Sequence, residues 1–335
     1  MRLDDSTLPD YLQRLGWLAG GEAAVVEKAG DGNINWVRRV RAGGRSVVVK
    51  QARPQLERFP EYEAPTERIL CESRYWKIAR TIDRERVAPG VVAFDAAAHV
   101  LLLEDLGDAE RLDVAMARGQ DASAPAERLA RFLGAVHAAT AGDATLARLF
   151  PNDGMRRLHG DHIFVLPFHA NEFALDPPVR ARAEAIWRDV AVREIAATAY
   201  ARYLEPRGAL VHGDVQAGNV LLADRGAVLL DAEIAHVGDP AFDLGTLFAH
   251  LWLPRVATGA EAAAEAALDA AWRGYGTARP DASARVRVDA TRSAAIEMLR
   301  RTIGAARVAA VADPAASLRV IDFALALLGA RPQGG

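Results

Sequence analysis

A motif in the last third of the chain combines acidic and amide side chains at a regular spacing. His212, Asp214 and Asn219 follow the pattern His-x-Asp-x-x-x-x-Asn. Asp231 comes after two predicted strands, and Glu233 stands two residues later. Transfer of a phosphoryl group from ATP needs a carboxylate that receives the proton of the attacking hydroxyl, and oxygen ligands for the metal ions on the phosphates. We therefore predict Asp214 as the catalytic residue and, because Mg²⁺ prefers oxygen donors, the metal ligands Asn219, Asp231 and Glu233.

Either aspartate taken alone has a simpler explanation, because Asp is common in the turns at the ends of β-hairpins. The runs 220–222 and 228–230 have the composition of strands, so that Asp214 precedes a hairpin and Asp231 follows it. This joint spacing favours phosphoryl transfer over two unrelated turns.

The tripeptide of this motif occurs a second time at His159-Gly160-Asp161, which is followed by His162. Leu166 stands where the asparagine would be needed, and no second aspartate closes a hairpin behind it. Three metal ligands within four residues rarely close around one ion. We therefore predict that this segment is a loop rather than a second catalytic or metal site.

A glycine-containing segment lies far upstream, at residues 30–35 between two predicted strands. Its residues Gly30, Gly32, Asn33 and Asn35 are predicted to approach the phosphates of a nucleotide, because backbone amides in such turns bind anions. Asn35 replaces the third glycine of the Gly-x-Gly-x-x-Gly pattern, and Gly-x-Gly turns are common. The sequence contains no Gly-x-x-x-x-Gly-Lys-Ser/Thr motif, which argues against a P-loop.

Lys50 ends the predicted strand 46–50, a position from which a lysine can pair with the α- and β-phosphates of ATP. A lysine at the end of a strand is otherwise a solvated surface charge. The next predicted helix supplies the carboxylate that would orient it, Glu72, and a rival, Glu67. Glu104 and Leu106 belong to a predicted hinge whose backbone groups would hold the adenine, although an acidic turn between strand and helix would have the same sequence.

The elements around these residues change from mixed to mainly helical near residue 105. The first hundred residues contain predicted helices at 6–18 and 65–80, and predicted strands at 25–27, 35–41, 46–50, 91–94 and 100–103. Further helices are predicted over 126–139, over 183–204 and from 242 onwards, around short strands at 210–211, 220–222 and 228–230. We therefore predict an α+β, two-lobed fold with a β-rich nucleotide-binding lobe over residues 1–104 and a mainly helical catalytic and substrate lobe over 105–335. The active site is expected between the lobes.

The composition is that of an ordinary globular protein. The 335 residues are too many for one compact core and fit two lobes. A formal net charge of −3 predicts no overall attraction to nucleic acid or to an anionic membrane. The single cysteine, Cys71, permits no intrachain disulfide and is expected to be a small buried residue, and no signal peptide is visible, so a cytoplasmic location is expected. The predicted partner is a small molecule, with a homodimer left open.

Several of these motifs together resemble the aminoglycoside phosphotransferase and choline kinase superfamily. The resemblance covers residues 210–246 and is carried by His212-Gly213-Asp214 with Asn219, by Asp231-Ala232-Glu233 and by Gly238-Asp239-Pro240 with Asp243-Leu244-Gly245. It implies a protein-kinase-like fold that uses ATP and Mg²⁺. Asp243 is expected to brace the catalytic loop through backbone hydrogen bonds, and His137, on the helix 126–139, is expected to be a packing residue.

Within this superfamily the flanking segments look most like 5-methylthioribose kinase. The matching segments are 30–35, 49–54, 67–72, 103–106 and 298–304. In that family two adjacent arginines of the last segment help to hold the sugar and the transferring phosphate, which implies Arg300 and Arg301 as substrate-binding residues. The catalytic loop departs from the family pattern, because Val215-Gln216-Ala217-Gly218 follows the catalytic aspartate, Ala232 stands in place of a proline, and no tryptophan-bearing loop is evident after Glu233.

Together these observations predict transfer of the γ-phosphoryl group of ATP, with Mg²⁺, to a hydroxyl of a small sugar-like metabolite, with 5-methylthioribose as the best candidate. An aminoglycoside O-phosphotransferase is the alternative within the same fold. It would need an acidic pocket, for which the helical lobe offers Glu172, Asp176 and Asp239. A catalytically silent nucleotide-binding module is a further alternative, against which the presence of Lys50 and Asp214 argues.

Overall fold

The computed structural model of the protein describes residues 1–30, 34–55, 57, 63–282 and 284–329. Gly32 and Asn33, two of the predicted phosphate-binding residues, lie outside the described residues. The fold is α+β, with an N-terminal β-sheet and a mainly helical C-terminal part, as the sequence predicted. The lobe boundary between residues 104 and 105 stays a prediction.

Five antiparallel strands form the N-terminal sheet in the spatial order β1-β2-β3-β5-β4. They are β1 (Val25–Lys28), β2 (Trp36–Ala42), β3 (Arg45–Gln51), β4 (Val91–Asp95) and β5 (Val100–Glu104). The strands β2 and β3 form a hairpin whose two turn residues, Gly43 and Gly44, have φ angles of +54° and +74°. Positive φ at both turn positions is what the tightest hairpins require, and glycine adopts it without strain.

Helices cover both faces of this sheet. They are α1 (Leu8–Arg14) on the outer face and α2 (Arg68–Ile82) on the inner face. Side chains of a strand point alternately to opposite faces, so Val47 and Val49 of β3 lie in the outer core with α1, whereas Leu101 and Leu103 of β5 lie in the inner core with α2. Lys50 follows Val49 in β3 and therefore points to the inner face, where it contacts Glu72 of α2.

The C-terminal part contains ten further helices within the described residues. They are α3 (Leu112–Ala117), α4 (Ser123–Thr140), α5 (Leu146–Leu149), α6 (Asp153–Gly160), α7 (Pro177–Arg188), α8 (Val190–Tyr203), α9 (Pro240–Ala257), α10 (Glu265–Ala278), α11 (Ala284–Ile303) and α12 (Pro314–Leu327). The main packing is of α4 against α10 and of α9 against α11. Gly245 permits the second contact, because a Cβ there would lie 2.4 Å from the Cβ of Ser293. None of the described helices combines the length and apolar character that a membrane span requires.

Two small sheets lie between these helices and carry the motif residues. One contains β6 (Glu110–Arg111), β8 (Val220–Ala223) and β9 (Gly226–Leu229), and the other pairs β7 (Ala209–Val211) with β10 (His236–Gly238). The three predicted strands of this region are therefore divided between two sheets. The strands β6 and β10 were not predicted; each pairs with a strand that is distant in the sequence.

Two sequence predictions about this part are wrong. The helix predicted over 183–204 is two helices, because Asp189 accepts hydrogen bonds from the N–H groups of Ala191 and Val192 and so begins α8 as its N-cap. The segment His159 to His162 is helical rather than a loop, since α6 runs to Gly160 and a π-helical turn continues over residues 161–165. Cys71 is buried, as predicted.

Candidate active site

The loop that carries Asp214 follows β7 and is held from below by one buried carboxylate. Asp243, on the first turn of α9, accepts hydrogen bonds from the backbone N–H groups of His212 at 2.8 Å and Gly213 at 2.9 Å. The Nε2 of His137 lies 3.1 Å from the same carboxylate, and its Nδ1 lies 3.2 Å from the hydroxyl of Tyr275. Burial by itself would raise the pKa of Asp243, but His137 and the backbone donors outweigh it and hold this pKa below its ordinary value. The predicted bracing role of Asp243 is confirmed, and His137 contributes to it.

Gly213 cannot be replaced easily within this loop. Its φ angle is +87°, and a Cβ at this position would lie 2.8 Å from the carbonyl oxygen of Ile234. Glycine is the residue that tolerates both the positive φ and the close approach of a second backbone segment. The motif His-Gly-Asp therefore has a steric reason for its central residue.

The two carboxylate oxygens of Asp214 have different surroundings. Oδ2 accepts hydrogen bonds from Gln216 Nε2 at 2.8 Å and from Asn219 Nδ2 at 2.9 Å. Oδ1 is buried and has no hydrogen bond to a described residue, and Arg301 Nη2 lies 3.8 Å from it. Asn219 Nδ2 also donates to the backbone oxygen of Asp214 at 3.0 Å. The amide oxygen of Asn219 has no hydrogen bond to a described residue. The sequence did not identify Gln216 as a partner of the catalytic residue.

Lys50 connects the two parts of the fold through two ion pairs. Its Nζ lies 2.6 Å from Glu72 Oε2 of α2 and contacts Asp231 Oδ1 behind β9. Glu67, the rival partner, is exposed at the start of α2. Burial alone would lower the pKa of Lys50, but Asp231 and Glu72 together raise it above its ordinary value, so the ammonium group stays charged. Asp231 itself has a φ of +69°, an uncommon backbone conformation for a residue with a side chain.

Glu233 is 2% exposed and lies beneath the start of β2. Its Oε2 accepts hydrogen bonds from Asn35 Nδ2 at 2.6 Å and from Arg68 Nε at 3.2 Å. Burial, followed by the carboxylate of Asp231, raises the pKa of Glu233 to about 7, against the opposing effects of Lys50 and Arg68. The structure therefore brings Asn35 of the predicted phosphate segment onto a predicted metal ligand. Arg68, which is fully buried, was not predicted as a site residue.

The predicted hinge is fixed from both sides. The backbone N–H of Glu104 donates to the oxygen of Gly90 at 2.8 Å, and the Glu104 carboxylate accepts from the N–H of Gly90 and from Arg225 of the β8–β9 turn. No hydrogen bond among the described residues uses the backbone N–H of Leu106, which is therefore available to a ligand.

Gly30, the first residue of the predicted phosphate segment, is exposed and has a φ of +67°.

The other side of Asp214 is formed by α11. Arg300 and Arg301 are 7% and 6% exposed, and both bind Glu297 of the same helix, at 3.1 Å and 2.5 Å. Burial would raise the pKa of Glu297, but the two guanidinium groups hold it well below its ordinary value. His250 Nε2 lies 3.6 Å from Glu297. The spacing of Glu297 to the arginines, three and four residues, is that of neighbours on one helix face and was a usable signal that the sequence prediction overlooked.

The donor set near Asp214 fits Mg²⁺. Asp231, Glu233 and Asn219 offer carboxylate and amide oxygens, and Mg²⁺ is commonly held by one or two carboxylates together with phosphate oxygens and water. Within the described residues no group of three or more His, Cys, Asp or Glu side chains is arranged as a complete metal site.

Comparisons with known proteins identify relatives of this chain. The sequence profile of the phosphotransferase enzyme family matches residues 25–283. A methylthioribose kinase from Bacillus cereus is 25% identical over 260 residues, which are 75% of this chain and 66% of that protein. A methylthioribose kinase from Yersinia enterocolitica is 28% identical over 273 residues, which are 73% of this chain and 64% of that protein. The match thus spans just under two thirds of the length of these relatives.

Solved structures share the fold at low sequence identity. A choline/ethanolamine kinase family protein from Mesorhizobium loti superposes with a TM-score of 0.53 at 17% identity and covers 96% of this chain and 95% of its own. A spectinomycin phosphotransferase, solved in complex with ADP and spectinomycin, has a TM-score of 0.53 at 12% identity and covers 98% and 99%. Because the profile of the family matches residues 25–283, this chain belongs to the phosphotransferase enzyme family.

Proposed function

We propose that this protein transfers the γ-phosphoryl group of ATP, with Mg²⁺, to a hydroxyl of a small sugar-like molecule. The observation that supports this most is the position of Lys50, which joins Glu72 of α2 to Asp231 while Asp243 holds the Asp214 loop beside them. A lysine, its carboxylate partner, a metal-ligand aspartate and a braced catalytic aspartate are the parts that kinase-type phosphoryl transfer needs. The names of the curated relatives make methylthioribose the first acceptor to test.

Asp214 orients the acceptor hydroxyl and receives its proton. Gln216 and Asn219 occupy Oδ2, so Oδ1 is the oxygen that remains for the acceptor hydroxyl. Arg301 Nη2, 3.8 Å from Oδ1, places a positive charge beside the carboxylate that would receive this proton.

Nucleotide binding involves residues on both sides of the cleft. Lys50 would pair with phosphate oxygens, and the backbone N–H of Leu106 would donate to the adenine edge. Asn219, Asp231 and Glu233 would hold Mg²⁺, which neutralises charge on the phosphates when it is bound. Gly30 and Asn35, together with Gly32 and Asn33, would form the phosphate segment, and Glu104 would fix the hinge through Gly90 and Arg225.

The charge on the acceptor side favours a sugar over a polycationic drug. Arg300 and Arg301 supply two buried positive charges next to Asp214, and Glu297 offsets one of them. The acidic residues that an aminoglycoside would need are engaged or exposed: Asp239 pairs with Arg202, and Glu172 and Asp176 lie on the surface. Guanidinium groups bind hydroxyl and phosphate oxygens well, so Arg300 and Arg301 are the proposed substrate-binding pair.

The test is ATP turnover with Mg²⁺ across a panel that contains methylthioribose, other pentoses, choline and several aminoglycosides. Phosphorylation of methylthioribose, or of another neutral sugar in the panel, is the expected result. Turnover confined to an aminoglycoside or to choline would contradict the proposed acceptor class but would still demonstrate phosphotransferase activity. Tight binding of ATP without turnover of any acceptor would favour a silent nucleotide-binding module.

A further inference from the structure

Arg68 is a fully buried arginine at the start of α2, and all five of its N–H groups have acceptors. Nε donates to Asn35 Oδ1 and Glu233 Oε2, both at 3.2 Å. Nη2 donates to Asn35 Oδ1 at 2.8 Å and to the backbone oxygen of Arg53 at 3.0 Å. Nη1 donates to the backbone oxygens of Ala64 at 3.2 Å and Pro65 at 2.9 Å. The guanidinium therefore joins a side chain from the predicted phosphate segment to one from the predicted metal motif.

The helix α2 reaches the metal motif at two points. Arg68 and Glu72 are four residues apart and so lie on one face of the helix. Glu72 reaches Asp231 through Lys50, and Arg68 reaches Glu233 directly. One face of α2 therefore holds both acidic residues of the motif. Asp231 is held through the ammonium group of Lys50, and Glu233 is held by the guanidinium group of Arg68.

Asn35 completes the second connection. Its Nδ2 donates to Glu233 Oε2 at 2.6 Å, and its Oδ1 accepts from Arg68. Each of the three side chains therefore contacts the other two. Glu233 Oε2 is occupied by Asn35 and Arg68, and Oε1 has no hydrogen bond to a described residue.

We propose that Arg68 is a positioning residue that holds Glu233 and Asn35 in place for the metal-bound nucleotide. The proposal rests on the proposed kinase function and extends it to a contact separate from the lysine–glutamate pair. Removal of Arg68 would leave Glu233 buried without its cationic partner and Asn35 without the donor that fixes its amide. A lysine cannot replace it, because an ammonium group has three donors and lacks the planar, five-donor geometry of the guanidinium.

The experiment measures binding of AMP-PNP, a non-hydrolysable ATP analogue, by calorimetry with and without Mg²⁺, so that no acceptor is needed. The variants are Arg68→Lys, Arg68→Met, Glu233→Gln and the double variant Arg68→Met/Glu233→Gln. Loss of residues that orient metal ligands typically weakens metal binding about 10- to 100-fold. We expect Arg68→Lys and Arg68→Met to weaken Mg²⁺-dependent binding by that factor and metal-free binding by less than about 3-fold. Arg180→Lys is the matched control, because Arg180, on α7, also donates to two backbone oxygens, those of Asn171 and Phe173, and contacts none of the predicted site residues.

A double-variant comparison separates positioning from a purely structural role. If Arg68 acts through Glu233, the double variant should bind AMP-PNP with Mg²⁺ no more than about 3-fold more weakly than Glu233→Gln alone. The reason is that the effects of substitutions at coupled residues are not additive. Fully additive losses, or wild-type-like binding by Arg68→Lys, would overturn the proposal while leaving the kinase function in place. Absence of AMP-PNP binding by the wild type would overturn both. Should Arg68→Met fail to fold, Asn35→Ala tests the same contact without removing the buried charge. If AMP-PNP binding by Asn35→Ala depended on Mg²⁺ as it does in the wild type, the proposal would also be refuted.

Discussion

Replacement of Asp243 by alanine should destabilise the protein strongly, because this carboxylate satisfies several buried donors at once. It accepts from the N–H groups of His212 and Gly213 and from His137, and it is fully buried. Leaving one buried donor unpaired costs about 1–3 kcal/mol. The two backbone donors alone therefore predict a loss of about 2–6 kcal/mol in the free energy of unfolding.

Urea unfolding followed by circular dichroism measures this loss. The matched control is Asp322→Ala, which removes a half-exposed carboxylate that pairs with Arg182 at the surface and should cost less than about 1 kcal/mol. Because the folded pKa of Asp243 lies below its ordinary value, the stabilisation is present at neutral pH and is lost as the pH falls through the folded pKa. Equal urea midpoints for Asp243→Ala and Asp322→Ala would refute the reasoning.

Three further perturbations test neighbouring parts of the account. Gly213→Ala should cost about 1–3 kcal/mol through backbone strain and the contact with the opposing carbonyl, whereas Gly218→Ala, whose Cβ would meet nothing closer than 3.8 Å, should be nearly neutral in thermal unfolding. Lys50→Met should cost about 3–5 kcal/mol because it leaves two carboxylates unpaired in the cleft, while Arg45→Met, at an exposed pair, should stay within about 1 kcal/mol in the same urea assay. Burial lowers the folded pKa of His236 from 6.5 to about 4, so the contribution of this residue to stability should be constant above pH 6.5 and fall by about 3 kcal/mol on acidification towards pH 4. His236→Gln should reduce that slope, and an unchanged slope would show that other groups titrate instead.

The sequence was informative where chemistry needs a fixed local spacing. The pattern from His212 to Asn219 and the aspartate behind the following hairpin are set by short-range geometry, and the structure brings them to one cleft. Lys50 and Glu72 were predicted as partners because a strand end and the next helix meet in a kinase-like lobe, and their ion pair is present.

The sequence was uninformative where partners lie far apart along the chain. Arg68 looks like an ordinary charged residue at the start of a helix, and its partner Glu233 is 165 positions away. The His159 segment was predicted as a loop because it lacks the asparagine and the second aspartate of the catalytic motif. That argument concerns chemistry and did not test for a helix, whose buried residues include Met155, Arg156 and His159. Burial of polar groups depends on tertiary contacts, which a pattern of residue types does not contain.

The most direct test of the central claim compares the wild type with Asp214→Asn in two assays on the same samples. One assay follows transfer of phosphate from ATP to the acceptor that the panel identifies, and the other follows binding of AMP-PNP with Mg²⁺. Because Asp214 receives the proton of the acceptor hydroxyl, the account predicts that kcat falls by a factor of about 10²–10⁴ while AMP-PNP binding changes little. Turnover by Asp214→Asn close to that of the wild type would contradict the assignment of Asp214 as the catalytic base.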